Sequence, residues 1–112
     1  MEHTIKGRPI VVTLCGSTRF KDYFAMQGLH EALRGNIVLS IDCDLRSDEE
    51  IFKYMSEEEL KAVKIRLDVL HFRKIDLSDE IFVLNVGGYI GESTSREIEY
   101  AKSTGKAVRY LE

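Results

Sequence analysis

Apolar residues cluster in four short runs along the chain, with longer amphipathic or polar stretches between them. Ile10-Val11-Val12-Thr13-Leu14-Cys15 is β-branched and nearly continuous. That pattern predicts a strand buried on both faces, as in parallel sheets. Ile37-Val38-Leu39-Ser40-Ile41 predicts a second strand, Glu80 to Val86 a third and Ala107 to Leu111 a fourth. The intervening stretches have helical spacing. The first runs from Arg19 to about Leu33, with Phe20, Phe24 and Leu33 marking its inner face and Gly35-Asn36 ending it. The second opens on Ser56-Glu57-Glu58-Glu59, a capping-box pattern, and continues to about Leu77. Val63, Leu67, Leu70 and Lys74 form its expected inward stripe. The third runs from about Ser95 to Ser103, where Gly105 breaks it. Pro9 stands just before the first run and fits a strand's leading edge.

The order is β-α-β-α-β-α-β. It predicts an α/β fold of three layers, a parallel sheet with helices on both faces and right-handed crossovers. For four strands the expected spatial order is 2-1-3-4. Ligands on such sheets bind beyond the carboxyl ends of the strands, where the strand order reverses. The loops at that point are Gly16 to Arg19 and Gly87 to Thr94.

Composition narrows the function classes. At 112 residues, 44% hydrophobic and 31% charged, the chain reads as one folded domain spanning residues 1–112. A net charge of -3 disfavours a nucleic-acid polymer as partner, because gripping one needs a clustered basic surface. No apolar run approaches the length of about 18 residues expected of a membrane span. The N-terminus has no apolar core of a signal peptide. Two cysteines, Cys15 and Cys43, do not make a disulfide framework and suit a reducing, cytoplasmic setting.

Two loops carry candidate chemistry. Cys15-Gly16-Ser17-Thr18-Arg19 joins a strand to a helix N-terminus, where free N–H groups and the helix dipole favour an anion. Gly16 permits close backbone approach, Ser17 and Thr18 offer hydroxyls, and Arg19 can clamp a phosphate. Helix capping by Ser17 or Thr18 is the simpler role and is compatible with anion binding. In Ser93-Thr94-Ser95-Arg96-Glu97, Thr94-x-x-Glu97 fits a capping box. Glu97 is therefore either a cap or a carboxylate nucleophile able to attack an anomeric carbon. Phe20, Tyr23 and Tyr89 are candidate stacking residues. His71 follows the apolar stripe, and a packed, satisfied imidazole is its simplest role. Asp79 reads as a turn-closing residue. Asp42-Cys43-Asp44 ends the second strand, where an acidic residue can bond ribose hydroxyls, although an exposed acidic loop explains it as well. Asp42, Asp44 and Asp48 show no convincing metal spacing. Cys15 and Cys43 read as small buried residues ending neighbouring strands.

Taken together, Leu14-Cys15-Gly16-Ser17-Thr18-Arg19, Asp79-Glu80-Ile81-Phe82-Val83-Leu84 and Ser93-Thr94-x-x-Glu97-Ile98-x-Tyr100-Ala101 resemble the nucleoside 2-deoxyribosyltransferase superfamily. The nearest branch is the nucleoside 5′-monophosphate N-glycosidases. The resemblance spans Ile10 to Leu111 and rests on the order and spacing of the motifs. It implies a flavodoxin-like fold and cleavage of the bond between a base and a sugar. Glu97 takes the position of the family's catalytic glutamate. Gly16 and Ser17 match the family's loop after the first strand, and Ser17, Arg19 and, more loosely, Ser93 or Ser95 take the positions that serve the 5′-phosphate. With Thr18 added from the loop's own chemistry, Gly16 to Arg19 are expected to hold that phosphate, Tyr89 remaining a candidate for stacking. The partner implied is a small nucleoside or nucleotide, with no metal and no organic cofactor, in a homo-oligomer of two or more copies. One position departs from the pattern: His71 stands where the family commonly carries an aspartate that helps protonate the leaving base. His71 either takes over that proton or marks altered activity. The alternatives to an enzyme are a non-catalytic nucleotide-binding module of the same fold and a structural domain whose loops are ordinary caps.

Overall fold

The computed structural model describes residues 4, 5, 7–41 and 52–112. Asp42, Cys43, Asp44 and Asp48, considered above, lie outside the described residues. Two short strands, β1 (Thr4–Ile5) and β2 (Arg8–Pro9), pair antiparallel at the N-terminus. Then follow β3 (Val11–Cys15), α1 (Lys21–Leu33), β4 (Ile37–Leu39), α2 (Glu57–Leu77), β5 (Glu80–Val83), α3 (Glu92–Ser103) and β6 (Ala107–Tyr110).

The predicted α/β sheet is present: four parallel strands in the order β4-β3-β5-β6. For the four predicted strands this is the expected order 2-1-3-4; the N-terminal ribbon was not predicted, and it shifts the numbering along the chain to 4-3-5-6. Two-residue strands with no apolar alternation leave almost no pattern to read. β3 is central. Val12, Thr13, Leu14 and Cys15 are all fully buried, as its unbroken β-branched run requires.

Alternation along the strands divides the core. Val12, Leu14, Phe82 and Leu84 pack with Phe24 of α1 on one face. Cys15, Ile81 and Val83 pack with Ile75 of α2 and Ile98 and Ala101 of α3 on the other. Helices therefore cover both faces, and the central strand contributes to both cores.

Several boundaries differ from expectation. α1 begins at Lys21, because Thr18–Phe20 form a separate 3-10 turn capped by Ser17. Leu33, expected inward, is 74% exposed in the helix's last turn. The second strand stops at Leu39, the third at Val83 and the fourth at Tyr110. Val86–Gly88 turn instead.

The capping box at Ser56 and Glu59 forms as predicted, with both reciprocal bonds present. The stripe beyond it does not become core: Leu67 and Leu70 are each more than 40% exposed. Length explains this. A helix of 21 residues is about 31 Å long. The strand of 5 residues beneath it extends only about 17 Å. The sheet reaches only the C-terminal part of α2, where His71 and Ile75 are buried.

Asp79 closes the amino end of the sheet. Its carboxylate accepts from Arg8 at 2.7 Å through both guanidinium nitrogens and from the Val11 N–H at 2.8 Å. The bond from Arg8 holds the Asp79 carboxyl down at about 2, against a burial effect that would raise it. A depressed carboxyl stabilises the fold above its unfolded pKa, and that contribution disappears as pH falls through the folded value. We therefore expect stability referable to Asp79 to be full above about pH 4 and to be lost between about pH 4 and 2. Asp79→Asn should cost about 1 kcal/mol at neutral pH, solvent screening of the exposed Arg8 keeping it small, and flatten that acid limb in urea titrations. An unchanged limb would rule out the assignment.

Candidate functional site

β3 ends at Cys15 because the chain turns away at Gly16. A Cβ on Gly16 would meet the Leu84 carbonyl oxygen at 3.2 Å and Leu84 Cβ at 3.3 Å. Only glycine lets this turn lie so close to the end of β5. Ser17 follows, its hydroxyl accepting from the Arg19 N–H at 3.2 Å. The predicted capping role of Ser17 is thus real, on a single 3-10 turn. Thr18 and Arg19 are exposed.

The second loop faces the first. The Arg19 guanidinium lies over the Tyr89 ring, 4.1 Å from its centroid. Phe20 meets the rings of both Tyr23 and Tyr89 edge-on, at 6.2 and 6.0 Å. The second loop is pinned from below, because Asn85 exchanges hydrogen bonds with the Glu112 backbone and the Gly87 N–H donates to the Glu112 carboxylate. Arg19, Phe20, Tyr23 and Tyr89 therefore form one aromatic and cationic wall.

The capping-box reading of Glu97 fails. α3 starts at Glu92, with Gly91 in the N-cap position and no side-chain cap. Thr94 is buried within the first turn, and Glu97 sits one turn further on. Gly91 has no side chain to offer the first N–H groups, and they keep a partial positive charge. The carboxylate of Glu97 is instead turned inward, with only 15% of its side chain exposed. Its Oε1 lies 3.5 Å from Nε2 of His71. The same Nε2 lies 3.4 Å from Sγ of Cys15.

Three elements thus converge: the end of β3, the C-terminal part of α2 and the start of α3. The predicted partners Glu97 and His71 meet, and Cys15, read from sequence as plain packing, is the third member. Long-range convergence leaves no mark in local spacing. The surrounding core is apolar (Ile75, Val83, Ile98). His71 is packed but not satisfied, since its buried Nδ1 has no hydrogen-bond partner. Burial pushes the Cys15 thiol well above its ordinary range, and the Glu97 charge and hydrogen bond push it the same way. Cys15 is therefore a neutral S–H donor beside a carboxylate.

Ser93 and Ser95 divide. About 100° of rotation per residue puts Ser93 within about 40° of Glu97 around the α3 axis and Ser95 about 160° away. Ser93 accepts a bond from Arg96 at 3.3 Å. Ser95 is exposed on the other side of the helix.

A separate cleft of about 440 Å³ lies by α1, lined by Gln27, His30, Glu31, Leu33, Arg34, Phe82 and Arg109. Its buried carboxylate is committed to structure. Burial alone would raise the Glu31 carboxyl, but bonds from Arg109 and Asn36 hold it below its usual range. The charged groups of this cleft are paired with one another, whereas the Cys15–His71–Glu97 cluster keeps a buried nitrogen, His71 Nδ1, without a partner.

The chain matches no family model, no curated protein and no solved structure. Among the described residues, no helix is long and apolar enough to cross a membrane.

We expect Cys15, in a Cys43→Ser background, to resist iodoacetamide in the native protein at mildly alkaline pH and to react fully after denaturation. Mass spectrometry reads the adduct. Rapid labelling of the folded chain would show that the thiol is accessible and ionised, contrary to its burial.

Proposed function

We propose that this chain is a nucleoside 5′-monophosphate N-glycosidase or a closely related deoxyribosyltransferase, working through a covalent glycosyl-enzyme. The observation that carries the reading is the placement of Glu97. Released from capping, its carboxylate faces His71 at 3.5 Å in a largely buried position beside the Gly16–Arg19 loop. Its ion-pair contact is with an imidazole, whereas the structural acids Glu31 and Asp79 are each held by an arginine.

In this mechanism the phosphate sits against Ser17, Thr18, Arg19 and Ser93 near the uncapped start of α3. The base stacks on the wall of Phe20 and Tyr89. A Glu97 oxygen attacks C1′, and the pair from the glycosidic bond leaves on the base nitrogen. His71 Nε2, or water, supplies the proton that the departing base requires. Water, or a second base in the transferase variant, then attacks C1′ and frees Glu97. The S–H of Cys15 donates to the carboxylate and steadies its orientation. No metal or organic cofactor enters these steps. A homo-oligomer belongs to the same reading, and the half-exposed Ile65, Leu67, Val69 and Leu70 of α2 support it.

One observation favours the non-catalytic nucleotide-binding alternative: an imidazole rather than a second carboxylate faces Glu97.

The test is a panel of ribo- and deoxyribonucleoside 5′-monophosphates, with free base followed by chromatography. Wild type should release base from at least one, and Glu97→Gln should abolish release while leaving ligand-induced melting shifts intact. Melting shifts without base release would replace the enzyme with the binding module. Arg19→Ala should raise KM for the monophosphate by about tenfold or more, the loss of one charge-assisted bond, with kcat little changed. An unchanged KM would remove Arg19 from the phosphate site.

A further inference from the structure

We propose that Cys15, His71 and Glu97 form a binding site for a zinc-like divalent cation, and that the bound cation silences the carboxylate. Among the described residues this is the group of sulfur, nitrogen and oxygen donors whose ligand atoms all lie within 4.8 Å of one another. The donor set is thiolate, imidazole and carboxylate, the three ligand types that zinc takes most often.

The distances suit that ion. Tetrahedral zinc, with bonds of about 2.3 Å to sulfur and about 2.0–2.1 Å to nitrogen and oxygen, separates sulfur from nitrogen by about 3.5 Å and nitrogen from oxygen by about 3.4 Å. The observed separations are 3.4 Å for Cys15 Sγ to His71 Nε2 and 3.5 Å for His71 Nε2 to Glu97 Oε1. The third edge, from Cys15 Sγ to a Glu97 oxygen, is no longer than 4.8 Å, and Glu97 is the least buried of the three. Calcium and magnesium are disfavoured, because they need six or more oxygen ligands.

His71 serves through Nε2. Coordination there places the ring proton on Nδ1, which is buried without a partner, so the site gives up the second hydrogen bond that metal-binding histidines usually make and binds the ion less tightly for it. Nε2 can present an N–H to Glu97 or a lone pair to a cation. Coordination exchanges the thiol proton of Cys15 for the metal, and that proton passes to solvent. Three protein ligands leave a fourth position for water.

Binding itself does not depend on the proposed glycosidase function; the inhibition does. A Glu97 oxygen that donates its lone pair to a cation cannot attack C1′.

Cobalt(II) is the probe. Titrated into the full chain, it should give one saturable equivalent, with intense tetrahedral d–d bands and a thiolate-to-cobalt charge-transfer band, both removed by zinc. Cys15→Ser should lose the charge-transfer band, and Cys43→Ser should keep it. Glu97→Gln, altered at the most exposed ligand, should lower zinc affinity by more than the roughly 10- to 100-fold typical of losing a second-shell partner. Circular dichroism checks that each variant folds, and Glu97→Gln decides the matter if Cys15→Ser does not. Weak six-coordinate bands, a charge-transfer band that follows Cys43, or unchanged affinity in Glu97→Gln would overturn the site. If wild type releases base, one equivalent of zinc should stop release and a chelator restore it; undiminished turnover with the cation bound would overturn the inhibition. Cobalt binding without any base release would refute the glycosidase function and leave the metal site standing.

Discussion

Parallel pairing of β3 with β5 decides where every candidate group falls. Val12 lies opposite Glu80 and Cys15 opposite Val83, so both strands end level at one edge. The turn at Gly16 and the turn after Leu84 must then occupy the same narrow space, and the missing Cβ of Gly16 allows it. Period-two alternation sends Cys15 toward α2 and α3, while its neighbour Leu14 goes toward α1. A one-residue slip of β3 would exchange these faces and remove the thiol from His71 and Glu97. The site is therefore a consequence of sheet register rather than of any loop sequence alone.

Polar groups elsewhere in the fold show what a structural role looks like. Glu31 is buried and receives Arg109 and Asn36 as donors. Asp79 receives Arg8 and the Val11 N–H. Thr13 and Ser78 bond to each other and to the Lys74 carbonyl. Each of these buried groups is matched, as folding requires. The cluster of Cys15, His71 and Glu97 is matched in part: the Cys15 thiol bonds to Glu97, His71 Nε2 makes two contacts of 3.4 and 3.5 Å, and its Nδ1 has no partner. Among the described residues one other buried side-chain atom, Asn36 Oδ1 beside Glu31, also has no partner, so it is the meeting of an unpaired nitrogen with a thiol and a carboxylate that marks the cluster as a candidate site.

The strand pattern, the strand–loop–helix junction at Gly16 and the capping box at Ser56 were legible because each is written within a few consecutive residues. The start of α3 was not. Thr94-x-x-Glu97 has the composition of a capping box, but Thr94 is already the third residue of the helix and so is not where it opens. The helix starts one turn earlier, at a glycine that carries no capping side chain. The stripe on α2 misled for another reason: apolar spacing describes a face, but only the length of the neighbouring sheet decides how much of that face is covered. Cys15 escaped notice because its partners lie 56 and 82 residues away in sequence.

The misplaced cap bears on chemistry as well as on boundaries. A glutamate whose oxygens satisfied the first N–H groups of α3 would already be committed as an acceptor and aimed along its own helix. With the helix opened at Gly91, those N–H groups remain for a ligand's anion, and Glu97 points instead toward β3 and α2. The same oxygen lone pairs that would make it a nucleophile toward carbon would make it a ligand toward a zinc-like cation. Sulfur and imidazole nitrogen lie 3.4 Å from each other, and the same two groups that would orient the carboxylate and protonate the base would be the cation's other ligands. The arrangement thus supports two occupants that exclude one another, a sugar carbon and a metal ion, and both depend on the carboxylate that the helix start leaves free.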